Sequence, residues 1–323
     1  MEIVDEIVKI IRSEERFLIV SHIHPDGDSI GSQVALFCIL EEMGKRCVIM
    51  NEEMPPKNLS FLPYLERIKS PADGEYGATI ILDANEWDRL GKRTRALVEK
   101  QKMRLNIDHH LGGGIGDIAW VDNRFSSASE MVYELSTRLN IEMDEKKALL
   151  LYTGIATDTG FFSYVNTSPK SMVISALLLG FGISAEKIKE RLYSTKSTEE
   201  VKFSARVLSN ISEKDGVVWI KIPRHLIDEL GFEPEVDSIL DETRKIESCK
   251  VTVLLRELGS NRTKASFRSK CGINVASVAK MFGGGGHLQA AGCVIDLPMN
   301  EAEKEIYKEL QKIAISNQQS AVS

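Results

Sequence analysis

The sequence predicts an α/β protein, with a mostly parallel-sheet N-terminal domain followed by a smaller α/β C-terminal domain. Three observations carry this. Short apolar runs at 17–20, 47–50, 79–82 and 105–107 alternate with segments of helical apolar spacing, as in a parallel sheet buried under helices. A polar, strand-free stretch from Ser194 to Asp215 then interrupts the pattern. Beyond it, paired runs at 251–255 and 263–267 flank a Gly259-Ser260-Asn261 turn, which signals a second sheet.

The elements follow in order. Ile3, Val4, Ile7, Val8, Ile10 and Ile11 have helical spacing. The 17–20 strand leads into Ser21-His22-Ile23-His24-Pro25-Asp26-Gly27-Asp28-Ser29, where Ser29 is the expected cap of a helix ending near Gly44. Strand 79–82 ends at Asp83. Residues 89–101 read as a charged surface helix, and strand 105–107 runs into Asp108-His109-His110. Ala119 to Val121 form a short fifth strand, and Ser127 or Ser129 caps a helix over 130–139. An apolar helix over 144–157 leads to Asp158, and another spans 169–180. The second half predicts a strand at 217–222, helices at 224–230, 236–245 and 275–281, a strand at 293–295 and a closing helix at 299–314. The expected domains are 1–190 and 216–315, with a helical linker at 191–215 and a disordered tail at 316–323.

Composition bounds the function. With 323 residues, 43% hydrophobic and 27% charged, the chain has the make-up of an ordinary soluble protein. Its net charge of −6 argues against non-specific coating of duplex nucleic acid. The acidic start Met1-Glu2-Ile3-Val4-Asp5 is no signal peptide, and the most apolar stretch, 174–183, is too short to span a membrane. Five dispersed cysteines without a CxxC pair fit reduced thiols and a cytoplasmic location.

The chemistry gathers at the strand ends. His22, Asp26, Asp28, Asp83, Asp108, His109 and His110 all fall just past predicted strand ends, where open α/β sheets bind ligands. Asp158 follows an apolar helix. One aspartate after a strand is more often a turn or cap residue, but all of them on one sheet edge is a different matter. Burying so many ionisable groups is costly unless a cation sits among them. One ion takes about four to six ligands, so this supply fits two ions sharing carboxylates. The mixed His/Asp set favours Mn²⁺, with Fe²⁺, Co²⁺ or Zn²⁺ as substitutes and Mg²⁺ less suited. Asp108 would orient an imidazole by accepting its N–H. His110 would face a phosphate oxygen. His24 points away if the loop is extended.

The second half carries an anion signal. Lys250, Arg256, Arg262, Lys264, Arg268, Lys270 and Lys280 cluster with only Glu257 opposing them. Gly283, Gly284, Gly285 and Gly286 can bring backbone N–H groups to a phosphate, and His287 adds a donor.

The set His22-x-x-x-Asp26-Gly27-Asp28, Asp83, Asp108-His109-His110 and Asp158 resembles the DHH phosphoesterase superfamily. Ala265-Ser266-Phe267-Arg268-Ser269, the glycine run with His287, and Ala290-Ala291-Gly292 resemble its associated C-terminal domain. The size and pairing look like the branch of oligoribonucleases (nanoRNases) and pAp phosphatases. This resemblance implies a site in a cleft between two lobes, with Mn²⁺ held by His22, Asp26, Asp28, Asp83, His109 and Asp158. It implies catalytic roles for His110 and Asp108, and substrate contacts from His110, Arg268, Arg262, His287 and the glycines. Arg124 is a weaker phosphate candidate. Many relatives carry an Asn three residues after the second His, and here that position is Gly113. The expected reaction is hydrolysis of short oligoribonucleotides or of 3'-phosphoadenosine 5'-phosphate (pAp) by a metal-bridging hydroxide. The alternatives are a cyclic-dinucleotide phosphodiesterase, a manganese pyrophosphatase, and a nucleotide sensor without turnover. Expected partners are single-stranded RNA or an adenine dinucleotide and a second copy of the chain, with no membrane.

Overall fold

Residues 3–69, 74–194, 196–232, 234, 236–270 and 273–320 are described here from a computed structural model. Cys271 lies outside them. The chain divides into two compact units, Met1–Thr195 and Lys196–Ser323.

In the first unit the elements are α1 (Ile3–Ser13), β1 (Arg16–Val20), α2 (Gly27–Glu42), β2 (Arg46–Met50), β3 (Ile68–Lys69) and β4 (Ala78–Leu82). They continue with α3 (Lys92–Val98), β5 (Arg104–Asp108), β6 (Ile118–Val121), α4 (Ala128–Leu139), α5 (Glu145–Asp158), α6 (Pro169–Leu179) and α7 (Ala185–Tyr193). The strands form one parallel sheet in the order β3-β2-β1-β4-β5-β6. The apolar runs are unbroken because both faces are covered. Phe17, Ile19, Ile80, Leu82, Leu105 and Ile107 enter one core, while Leu18, Val20, Met50 and Ile81 enter the other.

Two local expectations change, and one strand is new. Asp26, not Ser29, caps α2: Asp26 Oδ1 accepts from the Asp28 and Ser29 amides, and the Ser29 hydroxyl accepts from the Asp26 N–H. Both residues are good caps, and the earlier one wins because Gly27 already adopts helical geometry. The charged helix over 89–101 is shorter. Gly91, at φ 77°, separates a 3-10 turn at Trp87–Leu90 from α3. β3 is only two residues long, too short to show any alternation.

The packing of α5 on α2 positions the site. A methyl group at Gly31 would lie 2.4 Å from the Leu150 carbonyl oxygen. Glycine there lets the two helix backbones touch.

The second unit holds α8 (Thr198–Leu208), β7 (Ser212–Lys214), β8 (Val217–Ile222), α9 (Arg224–Leu230), α10 (Asp237–Arg244) and β9 (Val251–Gly259). They are followed by β10 (Arg262–Ser269), α11 (Val275–Met281), β11 (Gly285–His287), β12 (Ala290–Ile295) and α12 (Met299–Ser320). Its mixed sheet has the order β11-β12-β10-β9-β8-β7, with only the β8/β9 pair parallel. The expected linker at 191–215 is folded into both units, with Leu192 in the first unit's core and the residues from Lys196 on in the second. Phe203 and Val207 of α8 enter the second unit's core with Ile220, Ile222 and Leu254. The stretch is not strand-free either: β7 pairs with β8 across an Asp215-Gly216 turn whose φ values, 53° and 76°, are those of a type I′ hairpin. Its three residues are all exposed, so no apolar pattern betrays the strand. The closing helix runs to Ser320 rather than ending before 316. Adding a residue to an existing helix is easy, and neither Gly nor Pro stops this one. Residues 321–323 lie outside the described set.

Candidate metal centre

The strand order reverses direction between β1 and β4, which opens a crevice outside their carboxyl ends. His22 follows β1, Asp83 follows β4, Asp108 ends β5, and Asp158 ends α5. Three groups of donor atoms, each within 4.8 Å of one another, result: His22, Asp26 and Asp83; Asp28, His109 and Asp158; and Asp83, Asp108, His109 and His110.

Asp83 straddles the first two groups. Its Oδ2 lies 3.2 Å from His22 Nε2, and its Oδ1 lies 3.3 Å from His109 Nε2. His109 Nε2 is also 3.5 Å from Asp158 Oδ2 and 3.9 Å from Asp28 Oδ2. His22 Nδ1 donates to the Ile23 carbonyl at 2.6 Å, which turns Nε2 toward the carboxylates. Asp26 uses Oδ1 as the helix cap, and its Oδ2 is 3.8 Å from His22 Nε2. Asp28 is gripped by the start of α4: its oxygens accept from the Ala128 and Ser129 amides at 2.7 and 2.8 Å. Asn166 donates to Asp158 Oδ2 at 3.2 Å. Asp108 accepts from both the amide and Nδ1 of His110, the latter at 2.8 Å, so the imidazole it orients is that of His110.

The electrostatics describe a cluster short of positive charge. Burial would lower the His22 pKa, but its contact with Asp83 carries it up to about 9. Burial acts likewise on His109, and Asp83, Asp28 and Asp158 carry it up to about 10. Burial and the neighbouring Asp83 and Asp158 charges push Asp28 well above the carboxylate range. Burial also pushes Asp158 up to about 6. Asp83 moves the other way: His109 and His22 overcome its burial and hold it low. Asp83 Oδ1, Asp108 Oδ2 and His109 Nε2 are buried without a hydrogen-bond partner. Buried polar atoms without partners are costly, and Asp83 Oδ1 and His109 Nε2 lie 3.3 Å apart. Hard oxygen and imidazole donors left open toward a common point fit divalent cations.

Arg124 is 86% exposed and bound to Asp122, and among the described residues no hydrogen bond ties it to the cluster. Gly113 is exposed, with open space around it. Arg268, Arg262 and the glycine run belong to the second unit. Arg268 is half-buried on β10 and donates to the Phe267 carbonyl. Arg262 is 3.5 Å from Asp296. Gly285 and Gly286 form β11 with His287. A methyl group at Gly284 or Gly286 would meet the Gly292 or Ala290 carbonyl oxygen at 2.2 or 2.4 Å, so these glycines let the chain close onto β12. The His287 side chain lies outside the described residues. His24 is exposed and pairs with Glu53 at 2.9 Å, away from the cluster.

Sequence reasoning missed several supporting groups. Buried Asn106 donates to the Ile81 and Ala84 carbonyls and accepts from the Ile115 amide, joining the loops on either side of Asp83 and His110. A polar residue in an otherwise apolar strand was its one available signal. The α4 amides and Asn166 carried none.

Comparison with known proteins agrees with this geometry. Residues 16–155 match the DHH family, N-terminal domain, and residues 226–316 match the DHHA1 domain. The chain is 31% identical over 316 residues to a bifunctional oligoribonuclease and PAP phosphatase NrnA of Thermus thermophilus, covering 97% of this chain and 94% of that protein. It is 29% identical to the protein of that name from Bacillus subtilis, covering 90% and 92%. The crystal structure of an exopolyphosphatase-related protein from Bacteroides fragilis superposes with a TM-score of 0.86 at 26% identity, over 96% of each chain. The chain belongs to the DHH family, with a DHH domain followed by a DHHA1 domain.

Proposed function

We propose that this chain is a metal-dependent phosphoesterase that hydrolyses short oligoribonucleotides and pAp. One observation carries the reading: Asp83 lies between two separate ligand triplets, one with His22 and Asp26 and one of Asp28, His109 and Asp158. That arrangement supports two ions, with Mn²⁺ as the physiological choice and Co²⁺, Fe²⁺ or Mg²⁺ as substitutes. Bound there, the ions would activate a water and neutralise charge for in-line displacement at phosphorus.

The protein groups do the rest. Asp28, gripped by α4, and His22, fixed by the Ile23 carbonyl, hold their donors in place. Asp108 fixes the ring of His110 through Nδ1, and His110 would face the phosphate and its leaving group. In the second unit Arg268, Arg262, Gly284, Gly285, Gly286 and His287 would bind the nucleotide. The names of the relatives support the substrate class. A cytoplasmic setting fits such substrates, and among the described residues no helix is long and apolar enough to cross a membrane. A homodimer fits the exposed Met172, Val173 and Leu177 on α6.

The decisive experiment is a panel of pAp, pApA, cyclic di-AMP, two- to five-nucleotide RNA and pyrophosphate, each with Mn²⁺ and with Mg²⁺. Turnover of pAp and short RNA is expected. Release of phosphate from pyrophosphate alone would replace this reading with a pyrophosphatase, and tight binding without turnover would replace it with a sensor. Asp83→Ala and His109→Ala should each lower kcat at least about 1000-fold with the fold retained. Full turnover in either variant would overturn the two-metal assignment.

A further inference from the structure

Five arginines lie between Trp87 and Phe125, and four of them have carboxylate partners. Arg93 contacts Glu52, Arg95 contacts Asp88 and Glu99, Arg104 contacts Asp117, and Arg124 contacts Asp122. Arg89 differs. Among the described residues no carboxylate lies within ion-pair distance of it, and its guanidinium faces the metal cluster, with Nη1 3.3 Å from His110 Nε2.

Two features make this position a built one. Arg89 sits in the 3-10 turn that follows β4 and Asp83, and its carbonyl accepts from the Ile23 amide at 2.6 Å. The backbone of Arg89 is therefore tied to the loop that carries His22. The second feature is the direction of the hydrogen bonds around His110. Nδ1 donates to Asp108, so Nε2 is the acceptor for Arg89. A guanidinium has five N–H donors in a planar fork. One points at His110, and no carboxylate claims the others.

We propose that Arg89 is the phosphate-binding cation of the first unit, closing its fork on a non-bridging oxygen of the phosphate that His110 also faces. The cluster beside it is rich in carboxylate. A dianionic phosphate entering there needs a cation at its outer edge, and arginine is the residue suited to two-point binding of phosphate. The four neighbouring arginines are held by their own carboxylates and cannot serve without breaking those pairs. This proposal deepens the phosphoesterase reading and rests on it for the identity of the substrate.

The test compares Arg89→Ala, Arg89→Gln and Arg89→Lys with Arg93→Ala as a control, using Mn²⁺-loaded full-length protein. Binding of inorganic phosphate is measured by calorimetry, alongside metal content and thermal unfolding. Glutamine keeps a donor for His110 but lacks the charge and the fork. It therefore separates phosphate binding from mere support of the imidazole. The expected result is about 10- to 100-fold weaker phosphate binding in both the Ala and Gln variants, the size of one or two lost charged hydrogen bonds. Lysine should restore part of it, Arg93→Ala should bind as the parent does, and metal content and unfolding midpoint should hold. In turnover of pAp, KM should rise by a similar factor. Phosphate binding by Arg89→Gln within about twofold of the parent would overturn the proposal. So would loss of metal from any Arg89 variant, or failure of the parent to bind phosphate. If the parent binds phosphate but turns over neither pAp nor RNA, the substrate reading fails while Arg89 is still judged by the binding data.

Discussion

Asp83 shows what a single residue must bear in this site. It sits at φ 56°, a left-handed conformation that aspartate tolerates better than most residues, with one oxygen toward each ligand triplet. Its identity was legible from the sequence as the polar end of an apolar run, but its straddling position was not, because that depends on where His22 and His109 arrive from other strands. Gly154 is the opposite case: unremarked in the sequence, it is what makes room for a ligand. A methyl group there would lie 1.9 Å from Ser129 Oγ and 2.8 Å from Asp28 Oδ1. Gly154→Ala should destabilise the fold by about 2 kcal/mol and displace Asp28. Thermal unfolding and Mn²⁺ titration would show both effects, and unchanged metal affinity would argue that the Asp28 carboxylate moves freely.

Elements act through their ends. The start of α2 is capped by Asp26, which also presents an oxygen to His22, and the start of α4 grips Asp28. Two helix N-termini thus meet the carboxylates of Asp26 and Asp28, which the dipole direction favours. Asp26 can be split into its two roles. Asp26→Asn retains the cap oxygen and should leave the unfolding midpoint near that of the parent while weakening Mn²⁺ binding. Asp26→Ala should lose the cap as well, at about 1 kcal/mol. Equal stability of the two variants would show that the cap contributes little. The β7–β8 hairpin and the short β11 strand were hidden at this scale, since exposed or glycine-rich strands carry no alternation. The Asp215-Gly216 turn was the overlooked clue.

At the scale of the whole molecule, all six expected ligands lie in Met1–Thr195. A fragment ending at residue 195 should fold and bind Mn²⁺ but hydrolyse pAp at least about 100-fold more slowly, having lost the substrate contacts proposed for the second unit. Parent-like turnover by the fragment would remove the second unit from the mechanism. Stability against pH follows from the cluster. In metal-free protein His22 and His109 are raised to about 9 and 10, and Asp158 to about 6. Groups with raised folded-state pKa values stabilise fully below their unfolded values and lose that contribution as pH rises through the folded ones. Asp83, held low, stabilises above the ordinary carboxylate value and loses its contribution as pH falls. With chelator present, the unfolding midpoint should therefore fall between pH 6 and 10. Mn²⁺ should flatten or reverse that fall, because it takes the place of the protons it displaces. A chelated protein equally stable at pH 6 and pH 9.5 would contradict the charge arrangement. Sequence alone determined the α/β class, the places of the first sheet's main strands along the chain and the residue types at its carboxyl edge. Periodicity and strand-end chemistry are local, and each can be read from a few neighbouring residues. Only the tertiary structure decided which carboxylate oxygen faces which imidazole, that α4 and Gly154 serve Asp28, and that Arg89 rather than Arg124 stands beside the site. Those facts depend on helices and loops far apart in the chain packing at contact distance, and no local pattern encodes that.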